Sequence, residues 1–478
     1  MSLAFFSKLN QAFGVLALGV LFGVMGFSAT MEIKDLDLWL HMQMGHYILS
    51  HGVVPGVDVL SASAQGLPWI NHEWLFQVVV SIVRDSWGTD GLLYMQAAVV
   101  IITCLVLLLL TYHRDRQLLA AVLMILVMFV YQTRFTVRPD LFSFLFFALF
   151  IYILSARLDA GWALPVLIVL QIIWTNMHGY FLLGIVFVFI GIVAEAIKRH
   201  VPLPWEWNSE GRLTDEEYRR LGWALVLLLL ATCINPQGIQ GALYPFHILK
   251  SMSGESKIFF ENITELQRPF SLANWADYTD YWQLRLLILI SFLSFFFNRR
   301  KLDISALFLW IVMLVIGLSA LRNIIYFAIT AYLVTMVNAA NLKITDMIPF
   351  KAEDDRFVQL TGLMVKICLI AYLMNVGNSL AIQGYYDFDK YERKSGFFGV
   401  DLRMYSDKAA DFIKKNGIKG RFFNDFNSGA YLIGRLYPDV MVYIDGRTEL
   451  RGSAFFEKYR KIWDEGDPKM FEQEVQRF

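Results

Sequence analysis

The feature that most constrains this chain is a series of long apolar segments separated by short polar connections. Crossing a bilayer as a helix takes about 20 predominantly apolar residues, fewer where packed neighbours shorten a span. Eleven such segments can be read, at 11–30, 91–112, 117–134, 140–156, 163–177, 180–197, 221–234, 284–297, 304–320, 323–340 and 359–379. The chain is 56% hydrophobic and 18% charged, well below the quarter charged of an ordinary soluble domain, which makes it an integral membrane protein. Lys+Arg and Asp+Glu balance at 42 each, a composition that disfavours nucleic acid as a partner. The apolar run after Lys8 lacks a clear small-x-small cleavage site, so it is read as a retained first span. Cys104, Cys233 and Cys368 all fall inside apolar segments, which argues against a disulfide framework.

Basic residues orient the spans. With the N-terminus inside, the inside connections carry Arg114 and Arg116, Arg157, Lys198 to Arg220, Arg299 to Lys301 and Lys343 to Arg356. These are the compact basic clusters that the positive-inside rule assigns to the cytoplasm. An odd number of spans then puts the C-terminal part outside. The opposite face receives the loop 31–90, Arg134 to Asp140, Asn176 to Gly179, Asn235 to Gln283, and Arg322-Asn323. Six of the eight histidines also lie there: His41, His46, His51, His72, His178 and His247. Function is expected on that external face.

The first external loop is too long and too apolar to be a mere connector. Two helical pieces are expected, 37–50 and 72–85, the first with an aromatic, amphipathic character suited to the membrane surface. Asn71 is read as the N-cap of the second, and Trp69 and Trp74 as interfacial anchors. Asp35 and Asp37 follow directly on the first span, with His41 one helical turn beyond Asp37 on the same face. Two acids at a helix start also simply complement the helix dipole. With His72 and Glu73 they are expected to share one shallow cavity. His72-Glu73 does not continue as a zinc-protease motif, because position 76 is Phe.

Residues 1–384 form the expected membrane domain and 385–478 an external α/β domain. In the latter, Ser406 caps a helix that ends at Gly417, the strand GRFFN follows, and a helix AYLIGRLY leads to the strand VMVYID. That alternation implies a small parallel sheet. Asp445-Gly446-Arg447 after the second strand is first a turn former, though it also looks like a site. The chain stops soon after one more helical stretch, so this domain is expected to continue beyond it.

An acidic pair after span one, a long first external loop, about eleven spans and an external C-terminal domain resemble the GT-C class of glycosyltransferases. That class includes the protein O-mannosyltransferases and the aminoarabinose transferases. The stretch from Asp35 to Leu75, with RPDLFSFLF, WTNMHGYFLLG, INPQG and NDFNSGAYLIGRLYPDVMVYIDGRTEL, is similar to a largely uncharacterised set of bacterial membrane proteins placed in that class. The resemblance implies a multi-pass bacterial inner-membrane enzyme that transfers a sugar, with inversion, from a polyprenyl-phosphate donor on the external (periplasmic) face. The acceptor would be a glycan, a lipid or a protein.

The residues fit that chemistry. An acceptor hydroxyl is a weak nucleophile and needs a base, for which Asp37 is the candidate, with Asp35 orienting it or binding a metal. The departing phosphate needs positive charge, offered by Arg138 or Arg322, both of which would otherwise serve as snorkelling anchors. His41 with Asp37 offers two metal ligands and His72 with Glu73 two more, so a divalent metal stays open. His178 is more suited to a cap or a helix–helix hydrogen bond than to a ligand, and stays in the candidate binding set. A transporter would carry charges at midplane in two related halves. Lys366 is the main midplane exception, near enough to the cytoplasmic end to snorkel. A non-catalytic assembly protein on the same fold is the other alternative.

Overall fold

The computed structural model describes residues 3–252, 257–270, 281–342, 356–383 and 396–477. The domain boundary at 384/385 and the basic connection from Lys343 lie outside the described residues. Among the described residues, seven helices are long and apolar enough to cross a membrane, and three shorter apolar helices accompany them. In chain order the helices up to the first loop's end are α1 (Leu3–Ser28), α2 (Leu38–His51) and α3 (Trp74–Thr111). There follow α4 (Gln117–Tyr131), α5 (Pro139–Ala156), α6 (Ala163–Met177), α7 (Leu182–His200), α8 (Asp215–Ala231), α9 (Ile239–Met252) and α10 (Lys257–Asn262). The membrane part closes with α11 (Trp282–Phe297), α12 (Ile304–Ser319), α13 (Ile324–Asn341) and α14 (Arg356–Gln383).

The second expected surface helix and the second span are one element, α3. Gly88, at φ 70° and ψ −167°, breaks its helical geometry and joins the two pieces across a kink. Only glycine takes that conformation without penalty. Around α13, 83% of whose apolar window is buried, the other spans assemble, and α14, at 17%, lies on the outside against α1. Lys366 on α14 donates from Nζ to the Asn10 carbonyl, near the N-terminal end of α1, at 2.8 Å.

The connections segregate to two ends. At one, Lys198 donates to Asp303 (2.6 Å) and to the Gly211 carbonyl (3.0 Å), and Arg116 donates to the Ala340 carbonyl (3.0 Å). There α8 opens with a capping box of Thr214 and Glu217. At the other end sit α2, the remainder of the first loop and the C-terminal part.

That part holds α15 (Asp407–Lys415), β1 (Gly420–Phe422), α16 (Gly429–Leu436), β2 (Val440–Val442), α17 (Gly452–Trp463) and α18 (Pro468–Val475). β1 and β2 pair in parallel, Gly420 opposite Val440. Ser406 stands at the N-cap of α15 without capping it, because its hydroxyl is bonded to Ser428 Oγ at 2.7 Å. The first loop extends the sheet: Ser61 bridges Val442 in parallel and Ala62 N–H donates to its carbonyl at 2.8 Å. Trp39 of α2 packs edge-on against Tyr431 of α16 and against Tyr405. Gly434 lets α16 approach, since a Cβ there would lie 2.8 Å from that of Trp39.

Candidate active site

The acidic pair begins as a helix start. Asp35 precedes α2, and its Oδ1 accepts from the backbone N–H groups of Asp37 and Leu38, both at 2.9 Å. It thereby satisfies two of the donors that a helix N-terminus leaves open. Its other oxygen accepts from Arg138 Nε. Asp37, at the N-cap, makes no capping bond and turns its carboxylate outward, accepting from Arg138 Nη2 at 3.0 Å.

Arg138 arrives from another element. Because Pro139 follows it, its backbone is held extended, at φ −125° and ψ 161°, just before α5. Its guanidinium meets Asp35, Asp37 and, at 2.6 Å, Glu265. Arg134 also donates to Glu265 (2.8 Å) and, through Nε, to Asp140 (2.8 Å). Two arginines four positions apart thus gather four carboxylates from three regions of the chain.

The two aspartates therefore converge on one group: Asp35 lies outside α2, so helical register does not separate it from Asp37. Burial separates them: the Asp35 side chain is 3% exposed and that of Asp37 36%. Desolvation by the surrounding protein raises the Asp37 carboxyl to about 6, with Arg138 pulling it down and Asp35 and Glu265 pushing it up. For Glu265, burial acts upward, but Arg138, Arg134 and Arg322 together hold it at about 2.

His41 does not hydrogen-bond the Asp37 carboxylate. Its ring points to α3, edge-on to Phe76 at 5.2 Å, its Nδ1 is buried without a partner, and burial keeps it below the usual imidazole range. His72 Nε2 and Glu73 Oε1 are 3.6 Å apart, and Tyr244 packs on the imidazole at 4.8 Å. Burial lowers His72 and raises Glu73, whose charge is felt by His41 and Asp37. His72 lines a recess with Asn71, Trp74 and Asn176, and Asp445 and Arg447 line another with Ser61 and Ser63. Asn71 is not a cap: it exchanges amide hydrogen bonds with Gln77 at 2.7 and 3.0 Å. Trp69 is buried beneath Arg447 rather than standing at a lipid interface.

The remaining candidates sit nearby. His178 Nδ1 is bonded to Ser143 Oγ of α5 at 2.8 Å, and its ring stacks on Tyr180. Arg322 lies over the Tyr180 ring at 5.7 Å, with its Nε buried and free of a hydrogen bond. Glu265 was missed by the sequence reading. It stands in a single 3-10 turn, Thr264–Leu266, and its only signal is the surplus of arginines at this end. Asp58 was missed likewise, and Asp445-Gly446-Arg447 reads first as a turn.

Among the described residues, no group of three or more His, Cys, Asp or Glu is disposed to hold a metal. The donor set explains this: a guanidinium occupies the point where Asp35, Asp37 and Glu265 converge, and both Asp35 oxygens are engaged. The residues do not fit a divalent ion as they stand.

No protein-family profile and no curated protein sequence matches the chain. Solved structures do. An oligosaccharyltransferase of Archaeoglobus fulgidus, tethered to an acceptor peptide containing the NVT sequon, matches at TM-score 0.57 and 10% identity over 91% of this chain. The same organism's AglB, in complex with an inhibitory peptide and a dolichol-phosphate, matches at 0.55 and 10% over the same 91%. The A. fulgidus enzyme in complex with Zn and sulfate matches at 0.57 and 11%, again over 91%. This chain spans 64% of the length of the first two and 62% of the third. Over nearly its whole length, the chain has the fold of the archaeal oligosaccharyltransferase AglB, a GT-C class glycosyltransferase.

Proposed function

We propose that the protein is an inverting glycosyltransferase that moves a sugar from a polyprenyl-phosphate donor to an acceptor hydroxyl or amide, with Asp37 as base. The observation that carries this reading is the environment of Asp37. It is the most exposed member of a carboxylate group assembled by Arg138, and its carboxyl sits at about 6, where a general base works near neutral pH. In the reaction the acceptor X–H attacks the anomeric carbon and Asp37 takes its proton. The bond from that carbon to the phosphate oxygen breaks with its electron pair on the phosphate.

Arg138 has each of its three guanidinium nitrogens donating to a carboxylate, so its charge is already shared among three anions. Arg322, with a free Nε, is the better partner for the leaving phosphate, as a fixed positive group worth most in a site shielded from water. In this reading the Asp35 end of the bundle faces outside and the Lys198 end the cytoplasm. Residues 1–384 form the membrane domain and 385–478 the external one. Asp35, His41, His72, Glu73 and His178 surround the donor without taking the acceptor's proton, and no step runs through a metal.

The test is turnover of purified protein in liposomes with a panel of polyprenyl-phosphate sugars. Asp37→Asn should lower turnover by roughly 10² or more, the usual contribution of a positioned base, with donor binding nearly unchanged. Wild-type turnover in that variant, on a donor and acceptor that the parent uses, would refute the assignment.

A further inference from the structure

The Asp445-Gly446-Arg447 turn meets Asp37 at Oδ1, whereas Arg138 donates to Oδ2. A Cβ built on Gly446 would lie 2.3 Å from Asp37 Oδ1 and 3.2 Å from its carboxyl carbon. Gly446 has no left-handed φ, so backbone conformation does not demand glycine there. Space does. The carboxylate rests directly on the peptide backbone of a turn that arrives from the end of β2.

That turn is held far more firmly than a strand-to-helix turn requires. Arg447 donates to Asp445 through Nε and Nη2 (2.9 and 2.7 Å) and to Asp58 of the first loop through Nη1 (2.6 Å). The three side chains are 8%, 3% and 0% exposed. The guanidinium also lies 4.8 Å above the ring of Trp69, another first-loop residue. Asp58 is itself fixed by Ser61, whose N–H and hydroxyl donate to Oδ2 at 3.0 and 2.6 Å. Burial pushes the Asp58 carboxyl up, but Arg447 and Ser61 outweigh it and hold it below the usual range. The same loop carries Asp35 and Asp37. A buried, bidentate charge network therefore ties the turn to the element whose carboxylate it supports.

We propose that Gly446 is a positioning residue for Asp37, and that Arg447, by locking the turn to Asp58 and Trp69, lets the C-terminal part set where that carboxylate stands relative to Arg138. The proposal rests on the reading of Asp37 as base and adds a second wall to its site. With the turn in place the carboxylate is confined between backbone and guanidinium. With a side chain at 446 it must move toward Arg138, which favours its charged form and takes it away from the acceptor.

Three measurements on the full-length protein test this. Asp37→Cys combined with Gly446→Cys, in a background lacking the native cysteines, should form an internal disulfide under mild oxidation in membranes. Gly446→Ala should keep its melting temperature within a few degrees and lose roughly 10²-fold in turnover, the cost of about an ångström of misplacement. The acid limb of its pH profile should also move to lower pH. Arg447→Lys keeps the charge but not the two-pronged contact, and should shift the limb in the same direction by less. A purely structural role would lower stability and leave the limb in place. Absence of the disulfide, or a wild-type acid limb in Gly446→Ala, would overturn the proposal. If Asp37→Asn proved fully active while the disulfide still formed, the base would be lost and the contact kept.

Discussion

Asp37 and Asp35 stand two positions apart and share one guanidinium, yet they are built for opposite purposes. Asp35 has both oxygens engaged and caps α2. Replacing it with alanine strips the buried Arg138 of a partner, a change that costs about 3–5 kcal/mol where a buried pair is broken. Asp35→Ala should therefore show a strongly lowered melting temperature. Asp37 is the reverse case. Its folded carboxyl near 6 lies above the ordinary 3.8, so its contribution to stability is complete below about 3.8 and lost as pH rises through 6. Asp37→Asn should melt higher than wild type at pH 7.5, and the two should converge by about pH 4. Glu265 has the opposite sign: held at about 2 against an ordinary 4.5, it stabilises above 4.5 and loses that contribution as pH falls through 2. Arg322→Ala should weaken donor binding, read as a raised KM for the polyprenyl-phosphate sugar, while Arg322→Lys should restore part of it.

At the scale of elements, the site depends on how closely α2 lies on α3. A Cβ on Gly45 would fall 2.1 Å from the Gln77 carbonyl oxygen and from Ser81 Oγ, and Ser81 in turn donates to the Met42 carbonyl at 2.7 Å. Gly45→Ala must push the helices apart against rigid backbone, an overpacking that costs about 1–3 kcal/mol. Chemical or thermal unfolding in detergent should show that loss, with turnover falling as Asp37 moves with α2. The α2 boundaries were legible from local signals: an acid before the first turn, and Gly52 at φ 67° closing the helix with its N–H on the Ile48 carbonyl. The join of α3 was not, because a glycine inside a run of apolar residues signals neither a break nor a continuation until its φ is seen.

For the whole molecule, orientation is the outstanding expectation and exposed positions test it. Gln65 and Asn427 lie at the Asp35 end and Ser209 at the Lys198 end, all three exposed. In a protein freed of its native cysteines, a membrane-impermeant maleimide added to intact cells should label Gln65→Cys and Asn427→Cys but not Ser209→Cys. Labelling at 209 would reverse the topology and with it the external site. The sequence by itself determined the class of molecule, a bundle of apolar helices, because a bilayer leaves a chain few ways to satisfy its backbone and each way takes a run of apolar residues that can be counted. It also determined that charged residues gather in the connections at the ends of the spans, since charge is costly in lipid. It marked Asp35, Asp37 and Arg138 as unusual. Only the tertiary structure decided that they are one group, that Glu265 joins them, that His41 turns away, and that Gly446 supports Asp37 from a domain some four hundred residues downstream. Such contacts arise from the packing of remote segments, whose spacing along the chain says nothing of their distance in space.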